Sequence, residues 1–72
     1  MDLRGERCPY TFIKARLALE EMRLGEILEV WLDFVPAFTR VPASMAVIGQ
    51  TTIEAVPLEG GGMRIRVRKD AG

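Results

Sequence analysis

Histidine is absent from these 72 residues, and cysteine occurs once, as Cys8. Without an imidazole, no Cys–His or Ser–His catalytic pair can be built within the chain. One thiol and no histidine argue against a zinc site, and no motif calls for a cofactor. A lone thiol has no resolving partner, so neither an internal disulfide nor dithiol exchange of the CxxC type is open to it. An excess of charge is missing too. Ten basic and ten acidic residues cancel, which removes the electrostatic case for direct nucleic-acid binding. No apolar run approaches the roughly 20 residues of a membrane helix, and the opening "MDLRGERCP" holds no signal-peptide core. Such a chain with a free thiol is expected in the reducing cytoplasm, away from membranes.

What is present describes one small globular domain spanning residues 1–72, with 49% apolar and 28% charged residues. Met1 to Arg4 reads as a short strand ended by Gly5. From about Pro9 the pattern turns helical, with Phe12, Ala15, Leu19 and Met22 on one face and Ala18 beside them. Gly25 is expected to close that helix. "EILEVWL" reads as a strand, and Asp33 to Val41 as a loop with a turn of helix after Pro36. Pro42 is placed to open a second short helix, "PASMAVI", which Gly49 stops. "QTTIEAVPL" and "MRIRVRK" read as strands joined by the "EGGG" turn into a hairpin. In the last strand Met63, Ile65 and Val67 alternate with Arg64, Arg66 and Arg68, so one face is apolar and the other charged. The fold expected is an α/β (α+β) two-layer sandwich, β-α-β-α-β-β, with a four-stranded mixed sheet and both helices on one face.

Cys8 stands immediately before Pro9, the residue favoured at the first helical position. A helix start there would offer unpaired N–H groups and the positive end of the helix dipole to a thiolate or another anionic sulfur species, a persulfide included. Arg7 is its neighbour, and Arg4 lies across the turn. Against this, a free cysteine is more often a small buried apolar side chain. The charged "RGER" before it argues for exposure, and on local chemistry the two readings stand level.

The stretch "DLRGERCP", the helix "FIKARLALEEM", then "GEILEV" and a late "VP" resemble the TusA/SirA-like sulfur-carrier family. The likeness runs from about Asp2 to Lys69 and includes the "GGG" turn and the basic last strand. It implies the same two-layer sandwich, and it implies that Cys8 matches the family cysteine. That residue accepts sulfur as a persulfide from a cysteine desulfurase or rhodanese-like donor and relays it to a downstream acceptor protein. Destinations across the family include tRNA thiolation, cofactor biosynthesis and sulfur metabolism. Such a protein is a sulfurtransferase-type carrier that depends on partner enzymes. Arg4, Arg7, Pro9 and Thr11 would support the thiolate. Two departures stand out. Thr11 replaces the second proline of Cys-Pro-x-Pro, though it could still accept a backbone hydrogen bond as a cap. Asp33-Phe34-Val35 precedes Pro36 where the family often has Asp-Asp-Pro.

Partner docking is expected from Lys14 and Arg16 on the first helix, the family's usual docking side, and from Asp33 and Phe34 after the second strand. "PASMAVIG" carries no charge, and a surface helix normally keeps a polar face. Met45 and Ile48 are therefore expected on an apolar patch for a partner or a weak homodimer, extended by Phe34 and Phe38. Trp31 is expected in the core or at the edge of that patch. The competing reading is a non-catalytic interaction or regulatory module of the same fold with a degenerate motif. RNA binding through Arg64, Arg66, Arg68 and Lys69 is weaker than either, since a charged sheet face commonly serves only to stay wet.

Overall fold

Five elements follow in the order α1 (Tyr10–Glu20), β1 (Ile27–Leu32), α2 (Ala37–Val47), β2 (Thr51–Pro57) and β3 (Met63–Arg68). The computed structural model describes residues 1–7 and 10–72, so the expected helix entry at Cys8 and Pro9 lies outside the described residues.

α1 forms because Thr11, Ala15 and Leu19 recur at i, i+4 and i+8 and are all enclosed. Phe12 and Met22 pack at the margin of the same core. The helix ends at Glu20, five residues before the glycine expected to close it. Its last turn tightens instead, with the N–H groups of Glu21 and Met22 bonded to the carbonyls of Ala18 and Leu19 at 3.3 and 3.0 Å.

α2 departs most from the sequence expectation. It starts at Ala37, and Pro42 lies inside it. Pro36 has φ −58° and already sits in the helical region, so it pre-sets the first turn. Phe34 and Val35 carbonyls accept from Ala37 and Phe38 at 2.9 and 3.0 Å. Pro42 removes one internal hydrogen bond, a defect of about 3 kcal/mol in an isolated helix. Complete burial of Ala37, Val41 and Met45 on either side of it offsets that defect.

The sheet is three-stranded and antiparallel, in the order β1-β3-β2, and not four-stranded as expected. The N-terminal segment contributes only a single parallel bridge, Asp2 to Trp31. Leu3 N–H donates to the Trp31 carbonyl at 2.8 Å and Trp31 N–H to the Met1 carbonyl at 2.9 Å. The chain then turns at Arg4 and Gly5, whose φ is +90°, before a ladder can extend. The expected hairpin is present. β2 and β3 pair antiparallel, and the turn between them closes with Leu58 N–H on the Gly62 carbonyl at 3.0 Å.

Alternation along the strands sets the two layers. Val30, Leu32, Ile65 and Val67 are fully buried together with the inward sides of α1 and α2. On the other face Glu29 lies opposite Arg66 and Trp31 opposite Arg64. Both helices therefore cover one face, as expected, and the charged face is open. Lys69 continues the inward series and does not join the arginines. It is 6% exposed, and its ammonium donates to the Met22 carbonyl at 2.6 Å and the Glu20 carbonyl at 3.4 Å. A buried cation thus satisfies carbonyls at the negative end of α1.

Candidate functional site at the entry to α1

The segment on either side of Cys8 is anchored to the core. Leu3 is buried, and its carbonyl accepts the Glu6 N–H at 3.1 Å. Gly5 N–H donates to Asp33 Oδ1 at 2.8 Å, which ties the segment to the end of β1. On the far side Thr11 N–H donates to the Arg7 carbonyl at 3.2 Å. Thr11 itself is fully enclosed, as the second described residue of α1. Lys14 Nζ reaches back to Glu6 Oε1. The first turn of α1 contains no acidic residue, so no carboxylate of that turn neutralises the positive end of the helix.

The expected thiolate supporters divide. Arg7 is exposed beside Cys8 in the sequence. Arg4 holds Asp2 through paired hydrogen bonds at 3.0 and 2.8 Å and lies 5.0 Å over the Trp31 ring, a cation–π distance. Those bonds from Arg4 pull the Asp2 carboxyl from 3.8 down to about 2 and raise the guanidinium in return. Pro9 and Cys8 lie outside the described residues.

The expected docking residues divide as well. Lys14 and Arg16 are exposed on α1, the latter paired with Glu20 at 3.5 Å. Asp33 is exposed and takes the Gly5 N–H. Phe34 and Ile48 pack against the core, and Met45 is completely enclosed, so it presents nothing to the surface. The exposed large apolar residue of that helix is Val47, at 87%, with Ala43 and Ala46 exposed beside it. The helix begins five residues earlier than expected, and Met45 falls on its inward side with Ala37 and Val41 at four-residue spacing, so Met45 is not part of an exposed patch.

An exposed row on α1 went unread. Tyr10, Ile13 and Leu17 stand at i, i+3 and i+7 and are 59%, 43% and 56% exposed. Their spacing was visible in the sequence as a second apolar face, hidden behind the stronger signal of the inward one. This row begins two residues after Cys8 and runs along the same helix.

The arginines of β3 are neutralised where they stand. Arg66 bonds Glu29 at 3.2 Å, Arg64 bonds Glu54, and Arg68 bonds Asp70 at 2.7 Å. Glu29 also accepts the Trp31 indole N–H at 3.1 Å, and that bond and the Arg66 bond lower its carboxyl. Trp31 therefore lies on the open face, outside both the core and the α2 surface. A cleft of about 190 Å³ opens between the C-terminal half of α1 and the end of the chain, lined by Arg16, Glu20, Gln50 and Lys69 among others. It lies along α1 from the cysteine segment and not at its N-terminus. Among the described residues, no group of three His, Cys, Asp or Glu side chains could hold a metal ion, and no helix is long and apolar enough to cross a membrane.

Comparison with known proteins agrees with this geometry. A crystal structure of a SirA-like protein from Desulfitobacterium hafniense superposes with a TM-score of 0.84 at 21% identity, covering 99% of this chain and 96% of that one. Two curated relatives carry the description "putative sulfur carrier protein". One, from Methanocaldococcus jannaschii, is 35% identical over 69 residues, 96% of this chain and 91% of its own length. The other, from Archaeoglobus fulgidus, is 56% identical over 45 residues, 62% of this chain. That match spans only about half (51%) of the relative's length. The family model described as sulfurtransferase TusA matches residues 1–69, and the chain belongs to that family.

Proposed function

We propose that this chain carries sulfane sulfur as a persulfide on Cys8. The observation that carries the proposal is the start of α1 at Tyr10, two residues after the thiol, with no acidic residue in the first turn. That end of a helix favours a thiolate and, after transfer, a persulfide anion. The Cys8 thiolate attacks the outer sulfur of a donor persulfide. A new S–S bond forms at Cys8 while the donor's inner sulfur leaves as a thiolate, so the exchange needs no outside oxidant or reductant. A thiolate of the acceptor protein then takes the outer sulfur from Cys8 by the same displacement, and the Cys8 thiolate is regenerated.

The donor is a cysteine desulfurase or a rhodanese-like protein, and the reducing cytoplasm is the fitting compartment. Docking is assigned to Tyr10, Ile13 and Leu17, flanked by Lys14 and Arg16. An exposed apolar row with a charged rim has the make-up of a protein interface. The cleft lies elsewhere, in keeping with a carrier whose partners provide the enclosed chemistry.

Intact mass spectrometry tests the reading after incubation with a desulfurase and cysteine, and separately with a rhodanese and thiosulfate. The expected result is a reducible gain of one sulfur atom that Cys8→Ala abolishes. No gain with either donor overturns the carrier role and leaves an interaction module of the same fold.

A further inference from the structure

Glu6 and Lys14 are eight residues apart, lie on either side of Cys8 in the sequence, and form an ion pair. We infer that this pair is a charge clasp that tunes the thiol: Lys14 favours the thiolate, Glu6 opposes it, and closure of the pair balances the two. The inference concerns the same site as the carrier reading and rests on it for its purpose.

Three observations carry it. Chain geometry keeps residues two apart within about 7 Å, Cα to Cα, so Glu6 stays near Cys8 whatever the local conformation. Lys14 is brought to the same place by its bond to Glu6, although it belongs to the second turn of α1. Glu6 is itself held, because its backbone N–H donates to the carbonyl of buried Leu3. The pair is partly exposed, 47% and 35% by side chain, and such pairs add little to stability. Its effect falls instead on a neighbouring charge within the screening length of about 8–10 Å.

The other charged groups around the segment are Arg7 on it, Asp33 from the end of β1 through Gly5, and the closed Asp2–Arg4 pair. None of these changes when Glu6 or Lys14 is substituted. The two substitutions therefore act with opposite sign. Glu6→Gln leaves the ammonium and favours the thiolate, while Lys14→Met leaves the carboxylate and disfavours it.

Iodoacetamide alkylation of Cys8, followed from pH 5 to 10 in the folded chain, reads the effect directly because only the thiolate reacts. Glu6→Gln is expected to move the rate midpoint down by about half a pH unit and Lys14→Met to move it up by a similar amount, the size of one unit charge acting through partly solvated surroundings. The double variant returns to the parent midpoint. Equal midpoints for all four proteins, or shifts in one direction only, overturn the clasp. A clasp that fails on a thiol still able to take up sulfur leaves the carrier reading standing. Opposite shifts on a thiol that takes up no sulfur would do the reverse.

Discussion

Lys69 shows how one side chain can serve two elements. Its ammonium bonds carbonyls at the end of α1, and its backbone carbonyl accepts from Gly25 N–H at 2.7 Å. Lys69→Met keeps the apolar stem and leaves those carbonyls without their donor. Stability is expected to fall by about 1–3 kcal/mol, read as a lower denaturant midpoint at unchanged slope. The sequence placed Lys69 with the arginines because charge, not register, was the visible property, although alternation from Ile65 and Val67 already pointed it inward. The carboxylates make a pH prediction at the same scale. Asp2, Glu29 and Asp70 are all held below their ordinary values, each by hydrogen bonds, chiefly from Arg4, from Trp31 and from Arg68 respectively. A lowered folded value stabilises the fold above the unfolded value, and the gain is lost as pH falls through the folded one. Stability is therefore expected to decline from about pH 4.5 toward pH 2. Asp2→Asn should flatten the lowest part of that decline in a series of urea melts.

At the scale of elements, what could be read in advance followed from local period and punctuation. β1, the hairpin and the two faces of β3 were legible because alternation is strict there and glycines mark the turn. α2 was not. Pro42 reads as a start signal, while Ala37, Val41 and Met45 run through it at i, i+4 and i+8. The N-terminal strand reduces to a bridge because the chain turns away at Arg4 and positive-φ Gly5 before a ladder can extend. Cys8 lies outside the described residues, and the exposed row of Tyr10, Ile13 and Leu17 on α1 is hidden in the sequence behind the stronger inward period. The Glu6–Lys14 pair is not legible, since a contact between residues eight apart, one of them ahead of the helix, follows no period. Two predictions belong at this scale. A Cβ at Gly62 would lie 2.6 Å from the Leu32 carbonyl oxygen at φ +94°, so Gly62→Ala is expected to lower the thermal midpoint sharply by forcing the hairpin from β1. Leu17→Glu leaves an exposed position on α1 without a fold penalty. It is expected to slow sulfur uptake from the donor about tenfold or more, by loss of an apolar anchor, with an unchanged melting curve.

For the whole molecule, the open face of the sheet sets the terms on which partners meet it. Each arginine of β3 already has a carboxylate beside it, and the chain carries no net charge. Such an object projects little field beyond a few ångströms of water, so nothing draws a donor in from a distance or turns it during approach. Encounter then proceeds at the unsteered rate of about 10⁵–10⁶ M⁻¹s⁻¹ and is nearly indifferent to ionic strength. On the proposed carrier role, selection between one donor and another would fall to how long a complex lasts after collision, and such a carrier would tell its partners apart by their departure.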